Sequence, residues 1–308
     1  MNYLPNLKIM KNQILTIISA FLLSNAVFAT DNFTIPNKFN SGETISSQKM
    51  NENFGEIQDL LNKLIQLNNL RTEEFKGFVA VGESGTILTS SDGTTWTSRT
   101  SGTSNNLQGV IFANSTFVAV GESGTILTSS DGTTWISRTS GTSNNLNGVT
   151  DANSTFEAVG KSGTILTSSD GTSWTSRTSG TSNYLFAVTY ANNTFVAGGG
   201  YGNILTSSDG TSWTSMTSGT SNWVYGVTFA NSTFVAVGGS GTILTSSDGT
   251  SWNIETSGIS YNLNGVTYAN STFVAVGYSG TILTSSDGTS WYIETSGISY
   301  NLKGVTSK

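Results

Sequence analysis

The chain has 308 residues, 35 of them glycine, two proline and only 10% charged, a composition that suits a β-rich, turn-rich fold and not a disordered one. Its formal net charge of −6 argues against nucleic-acid binding, which needs a basic stripe to neutralise phosphates. With no Cys and no His, the chain has no disulfide framework, thiolate metal site or Cys nucleophile, and it lacks the commonest general base and metal ligand.

Residues 1–29 read as a secretory signal. Lys8 and Lys11 precede an apolar run from Ile14 to Leu23, and Val27-Phe28-Ala29 supplies small residues at a cleavage site. The run is short for a hydrocarbon core of ~30 Å. The expectation is an exported chain, periplasmic or extracellular at the cell surface, starting near Thr30 with no stable membrane insertion afterwards. A lipid anchor would need a cysteine at the cleavage site.

Residues 30–75 read as an extended lead-in followed by a helix. Pro36, Asn37, Ser41 and Gly42 mark the lead-in. Met50, Phe54, Ile57, Leu61 and Leu64 then recur at four, three, four and three residues, which is a coiled-coil-like seam on a helix over about 46–70. Ser46 or Ser47 can cap it, and Gly55 weakens it. Two uses are open: the apolar stripe packs on the following domain, or it forms a homo-oligomer. The stretch from Ile35 to Leu61 also resembles N-terminal segments of bacterial secreted and tail-fibre-like proteins, which implies no activity.

From residue 78 the chain repeats. Phe78, Phe117, Phe156, Phe195, Phe234 and Phe273 stand 39 residues apart. Each unit breaks into four strands: FVAVG, apolar on both faces; TILTS; a strand behind the Trp; and an LxGV strand. The Asp-Gly pair before each Trp signals a tight turn, because Gly accepts positive φ. Four strands in about 40 residues matches one propeller blade. The first unit lacks a preceding LxGV strand, and Leu302-Lys303-Gly304-Val305 supplies one at the far end. Pairing the two would close a ring and remove its open ends; an open solenoid would need distinct caps, and none is seen. The expectation is an all-β, six-bladed β-propeller over 78–308, made of four-stranded antiparallel blades and closed by the C-terminal strand.

The turns SSDGTTW and SSDGTSW resemble the Asp-box (BNR) repeat, in a shortened form with Asp and Gly adjacent. The six copies pair Asp92 with Trp96, Asp131 with Trp135, Asp170 with Trp174, Asp209 with Trp213, Asp248 with Trp252 and Asp287 with Trp291. The whole repeat is similar to propellers of photosystem II assembly factor-like and sialidase-type bacterial repeat proteins. That resemblance implies a structural role for these residues, with the carboxylate accepting backbone N–H bonds and the Trp packing across the blade. It also implies an Asp-box between the third and fourth strands of each blade.

Fold does not name function. Sialidases need an arginine triad, but Arg99, Arg138 and Arg177 occupy one repeated position on what should be the outermost strand, where charge discourages sheet pairing. No phosphate-binding loop, metal cluster or catalytic set is recognisable. No catalytic residue, metal or cofactor is expected. The informative positions are those where the copies differ. One loop follows FVAVG, with Glu83, Glu122, Lys161, Tyr201 and Tyr278; the other leads into LxGV, with Tyr184, Phe186, Trp223, Tyr225, Tyr261 and Tyr300. Both should lie on the face away from the Asp-Gly turns. Aromatics there suit protein or carbohydrate recognition; drift with packing between blades is the bland alternative. The expected function is a non-enzymatic binding or adhesion propeller, with candidate ligand residues Tyr184, Phe186, Tyr201, Trp223, Tyr225, Tyr261, Tyr278 and Tyr300. The alternatives are a periplasmic assembly or scaffold factor and, behind it, a sialidase-like glycoside hydrolase.

Overall fold

The 39-residue unit becomes one antiparallel sheet in chain order. In the second blade the strands are Leu107–Ala113, Thr116–Gly121, Ile126–Ser129 and Ile136–Arg138, hydrogen-bonded as consecutive neighbours. The computed structural model describes residues 77–306, together with four exposed helical positions, Gly55, Gln58, Asp59 and Asn62. The signal, the lead-in and the rest of the expected helix lie outside the described residues. The repeats form a unit of their own. They are the blades of a six-bladed β-propeller, five of four strands and the first of three. LxGV is innermost and the Trp strand is the outer edge.

Local chemistry explains why each blade folds alike. At the hairpin between the first two strands, Asn114 and Ser115 both have positive φ, 49° and 56°, the signature of the tight turn that suits right-twisted strands. At the turn before the outermost strand, Asp92 Oδ1 accepts the backbone N–H groups of Thr94 and Thr95, each at 2.8 Å. Gly93 sits at φ +77°. The Trp96 indole N–H then donates to the Gly93 carbonyl. The same bonds recur at Asp131, Asp170, Asp209, Asp248 and Asp287. The outer Arg99, Arg138 and Arg177 each donate Nε–H to a threonine of the neighbouring strand at 2.8 Å. These guanidinium groups are tied to the blade edge.

The core lies between blades. Val118, Val120 and Ile126 of the second blade pack with Leu146, Phe156, Ala158 and Leu166 of the third. FVAVG is therefore buried on both faces, as its apolar run requires. One side chain breaks this rule. Glu157 takes the place of Val118 in the third blade, is 0% exposed, and neither carboxylate oxygen has a hydrogen-bond partner.

The ends of the array differ from the sequence expectation in one respect. Residues 301–306 carry no strand, and the first sheet keeps three strands. The tail nonetheless occupies the innermost position after blade six. The Leu302 N–H donates to the Gly277 carbonyl at 2.9 Å, as the Leu107 N–H does to Gly82, and Asn264 Nδ2 donates to the Leu302 carbonyl at 2.7 Å. A ladder to Phe78–Val81 is not formed. In the other blades a two-residue turn ties the innermost strand to its neighbour. The tail has no such turn, so pairing must overcome the closure entropy of the whole array. Phe78 and Trp96 are correspondingly 38% and 41% exposed, against 6% for Phe117.

Candidate functional site

The two variable loops meet on one face, where a β-bulge controls which way the side chains point. In each complete blade the register shifts between the first and third residues of the LxGV motif. The second residue is the extra one, released from the ladder and re-aimed. It is Gln108, Asn147, Phe186, Tyr225 and Asn264 in successive blades. Asn147 and Asn264 use the position structurally, donating from Nδ2 to the carbonyls of Leu185 and, in the tail, Leu302, each at 2.7 Å.

The residue before LxGV has a structural use as well. Asn106, Asn145, Asn262 and Asn301 each accept, on Oδ1, the backbone N–H of the serine 22 residues earlier, at 2.8–3.1 Å. Two repeats give up this bond. Where asparagine is expected they carry Tyr184 and Trp223, and these two copies also have aromatic rings on the following bulge, Phe186 and Tyr225.

The four rings and Tyr201 form one cluster. Trp223 stacks on Phe186 at 5.3 Å between centroids, with 25° between planes. Tyr184 meets Phe186 and Trp223 edge-on, each at 6.1 Å. Tyr225 packs against Phe186 at 5.2 Å and Trp223 at 6.2 Å. Tyr201 completes the group, edge-on to Trp223 at 6.0 Å and 69% exposed. It sits at φ +56°, a left-handed conformation that is uncommon for a bulky residue.

The blade beneath also departs from the repeat. FVAVGES becomes FVAGGGYG at 195–202. A Cβ on Gly198 would come within 2.6 Å of Val224 Cγ1, and Val224 itself replaces the leucine of the other copies. A Cβ on Gly200 would meet the Trp223 ring at 3.8 Å. Gly198 thus makes room for Val224, the residue between Trp223 and Tyr225, whereas at Gly200 a Cβ would make only ordinary contact with the indole.

The remaining candidates divide. Tyr278 shares no ring contact with the cluster among the described residues; burial raises the Tyr225 phenol above its usual range, and Tyr278 adds to the rise. Tyr261 and Tyr300, 53% and 80% exposed, share no ring contact with the cluster among the described residues. Tyr261 instead lines a groove toward the outer edge with Ile254 and Glu255. Two lysines not singled out as candidates belong to the site. Lys161 Nζ lies 5.6 Å from the Tyr184 centroid and Lys303 Nζ 5.5 Å from that of Tyr278, within cation–π range. The signal that could have found them is their rarity, since residues 77–306 contain no other lysine.

Elsewhere, the Asp-Gly turn carboxylates are held well below the usual carboxylate range. At Asp170 the backbone N–H of Ser173 is the main cause, and at Asp248 that of Ser251. Their bonding is spent within the turn.

No protein-family model and no curated protein matches the chain. Solved structures do resemble it. A structure of YCF48 bound to a D1 peptide shares 20% identity at a TM-score of 0.59, covering 71% of this chain and 77% of that one. YCF48 from Cyanidioschyzon merolae shares 19% at 0.58, covering 72% and 82%. The computationally designed Ika8 protein shares 15% at 0.55, covering 70% and 69%. At these identities the likeness establishes the propeller fold.

Proposed function

We propose that this chain is an exported, non-enzymatic binding propeller that holds a protein segment on the Tyr184–Phe186–Tyr201–Trp223–Tyr225 face, in the manner of an assembly or scaffold factor. The observation that carries the reading is the joint replacement of the structural asparagines by aromatics in two adjacent repeats. Drift would scatter such losses around the ring. A lost hydrogen bond costs about 0.5–1.5 kcal/mol, so two neighbouring losses that build a single cluster point to a gain in recognition. Large aromatics with few rotatable bonds suit that role. The YCF48 structure with its D1 peptide supports a peptide as the kind of ligand such a fold accepts. The six turns support assigning the repeats to the Asp-box class. The helix near 46–70 would serve packing or self-association.

Selection of random linear peptides on the purified protein tests the reading. Selected peptides should lose at least tenfold in affinity, about 1.4 kcal/mol, against a Trp223→Ala, Tyr225→Ala variant with an unchanged melting temperature. Equal binding by that variant would reject the face. A glycan is the second reading, favoured by the exposed ring of Tyr201. Retention on a glycan array with no peptide selected would replace the first reading with it.

A further inference from the structure

The cluster has a charge pattern that narrows its partner. The domain is acidic, yet its two lysines within 77–306 both lie against rings of the variable face. At the first residue after FVAVG, the six blades carry Glu83, Glu122, Lys161, Gly200, Gly239 and Tyr278. The sign at this position turns positive at the blade beside Tyr184. Glu122 is already engaged, accepting a bond from Asn106 Nδ2 at 3.1 Å, whereas no carboxylate lies within ion-pair distance of Lys161 or Lys303 among the described residues. Each ammonium is held over a ring, which leaves donors free for an incoming acceptor.

We propose that the partner segment of this face is an acidic peptide carrying an aromatic or large apolar side chain near a carboxylate, the side chain resting on Trp223 and Tyr201 and the carboxylate on Lys161. Lys303, beyond Tyr278, receives a second acidic group further along the segment. This inference rests on the peptide-binding reading above and adds the charge of the ligand. Both a side-chain carboxylate and a free C-terminus fit the ammonium, and the experiment separates them.

The test uses the full exported chain and a phage-displayed library of random linear peptides, selected at about 0.05 M and about 0.5 M NaCl, which bracket strong and weak screening. Selected sequences should be enriched in Asp or Glu within a few residues of an aromatic, more so at low salt. A synthetic consensus peptide should bind Lys161→Gln about threefold to tenfold more weakly than wild type. It should bind Lys161→Glu more weakly still and Lys161→Arg nearly as well. Amidating the peptide C-terminus separates the two carboxylate sources: loss assigns the terminus, retention the side chain. Peptides without acidic enrichment, or unchanged affinity in both Lys161→Gln and Lys161→Glu, would overturn the charge inference while leaving the aromatic face standing if Trp223→Ala still abolishes binding. Failure of Trp223→Ala to affect binding, or preferential binding of polygalacturonate over every selected peptide, would overturn both.

Discussion

Trp223 and Phe186 stack across two blades at 5.3 Å, although each arises from its own copy of a nearly identical repeat. Phe186 stands on a bulge of the fourth blade, and Trp223 leads into the innermost strand of the fifth. Such a pair contributes about 0.5–1.5 kcal/mol beyond the area it buries. A double-mutant cycle with Phe186→Ala and Trp223→Ala should therefore give a coupling energy of that size in thermal or urea unfolding. Ligand affinity should fall in Phe186→Ala as well, because the stack orients the indole. Strictly additive effects would mean that the stack neither stabilises nor orients the indole.

The vacated asparagine position makes a prediction about stability against function. Tyr184→Asn restores the side chain that in four other repeats caps the serine N–H, here that of Ser162. Tyr184→Ala removes the same ring without restoring the cap. The Asn variant should be more stable than the Ala variant by about 1 kcal/mol, with both losing ligand binding alike. Equal melting temperatures would show that the cap adds nothing at this site.

Glu157 should make the protein alkali-sensitive. Burial pushes its carboxyl up to about 9 from an ordinary 4.5, with the charge of Asp209 adding and that of Arg177 opposing. The unfolded chain releases this proton near the ordinary value and the folded chain does not. Stability attributable to this group therefore falls as pH rises from about 4.5 to about 9 and is flat above. Glu157→Gln should remove that slope. Glu157→Val, which restores the residue of the other blades, should also raise stability by about 1–3 kcal/mol at neutral pH. Denaturant melts across pH are the measurement; a wild-type slope that persists in Glu157→Gln would assign it elsewhere.

The turn carboxylates act in the opposite sense. Their folded pKa lies below the unfolded value of 3.8, so their contribution is complete above that value and declines as pH falls through the folded one. Asp170→Ala leaves the Thr172 and Ser173 N–H groups without their acceptor. It should cost about 1–2 kcal/mol at neutral pH and less in strong acid, as read by melting temperature at the two pH values. A cost that does not shrink in acid would contradict a role for the ionised carboxylate.

The tail is open to truncation. Ending the chain after Asn301 removes the Leu302 N–H bond to Gly277 and the acceptor of Asn264. The melting temperature should drop by several degrees, and amide exchange should accelerate most in the sixth blade. Unaltered exchange there would mean that the tail does not cover the blade.

Repetition made most of the fold legible in the chain. The 39-residue period, the positive-φ turn residues and the doubly apolar FVAVG strand each dictate local geometry by short-range sterics and hydrogen bonding. The structure reproduces the strand order they imply. The candidate site was legible only as a set of differences. Tyr184, Phe186, Tyr201, Trp223 and Tyr225 were marked by departing from the repeat, but so were Tyr261 and Tyr300. The repeat register sets Tyr261 and Tyr300 two residues before LxGV, one position earlier than Tyr184 and Trp223, but register alone does not tell which rings meet, because that depends on the bulge and on contacts between blades.

The amino-acid order by itself determined the number of blades, the strand sequence within each and the face on which the copies diverge, since all three follow from interactions within about 40 residues. Only the tertiary structure decided which divergent rings touch, that two lysines cap them, and that the tail docks on the sixth blade without pairing to the first. Those outcomes depend on contacts between blades, where side chains one repeat apart in sequence become neighbours and a single bulge or missing turn changes which of them can meet.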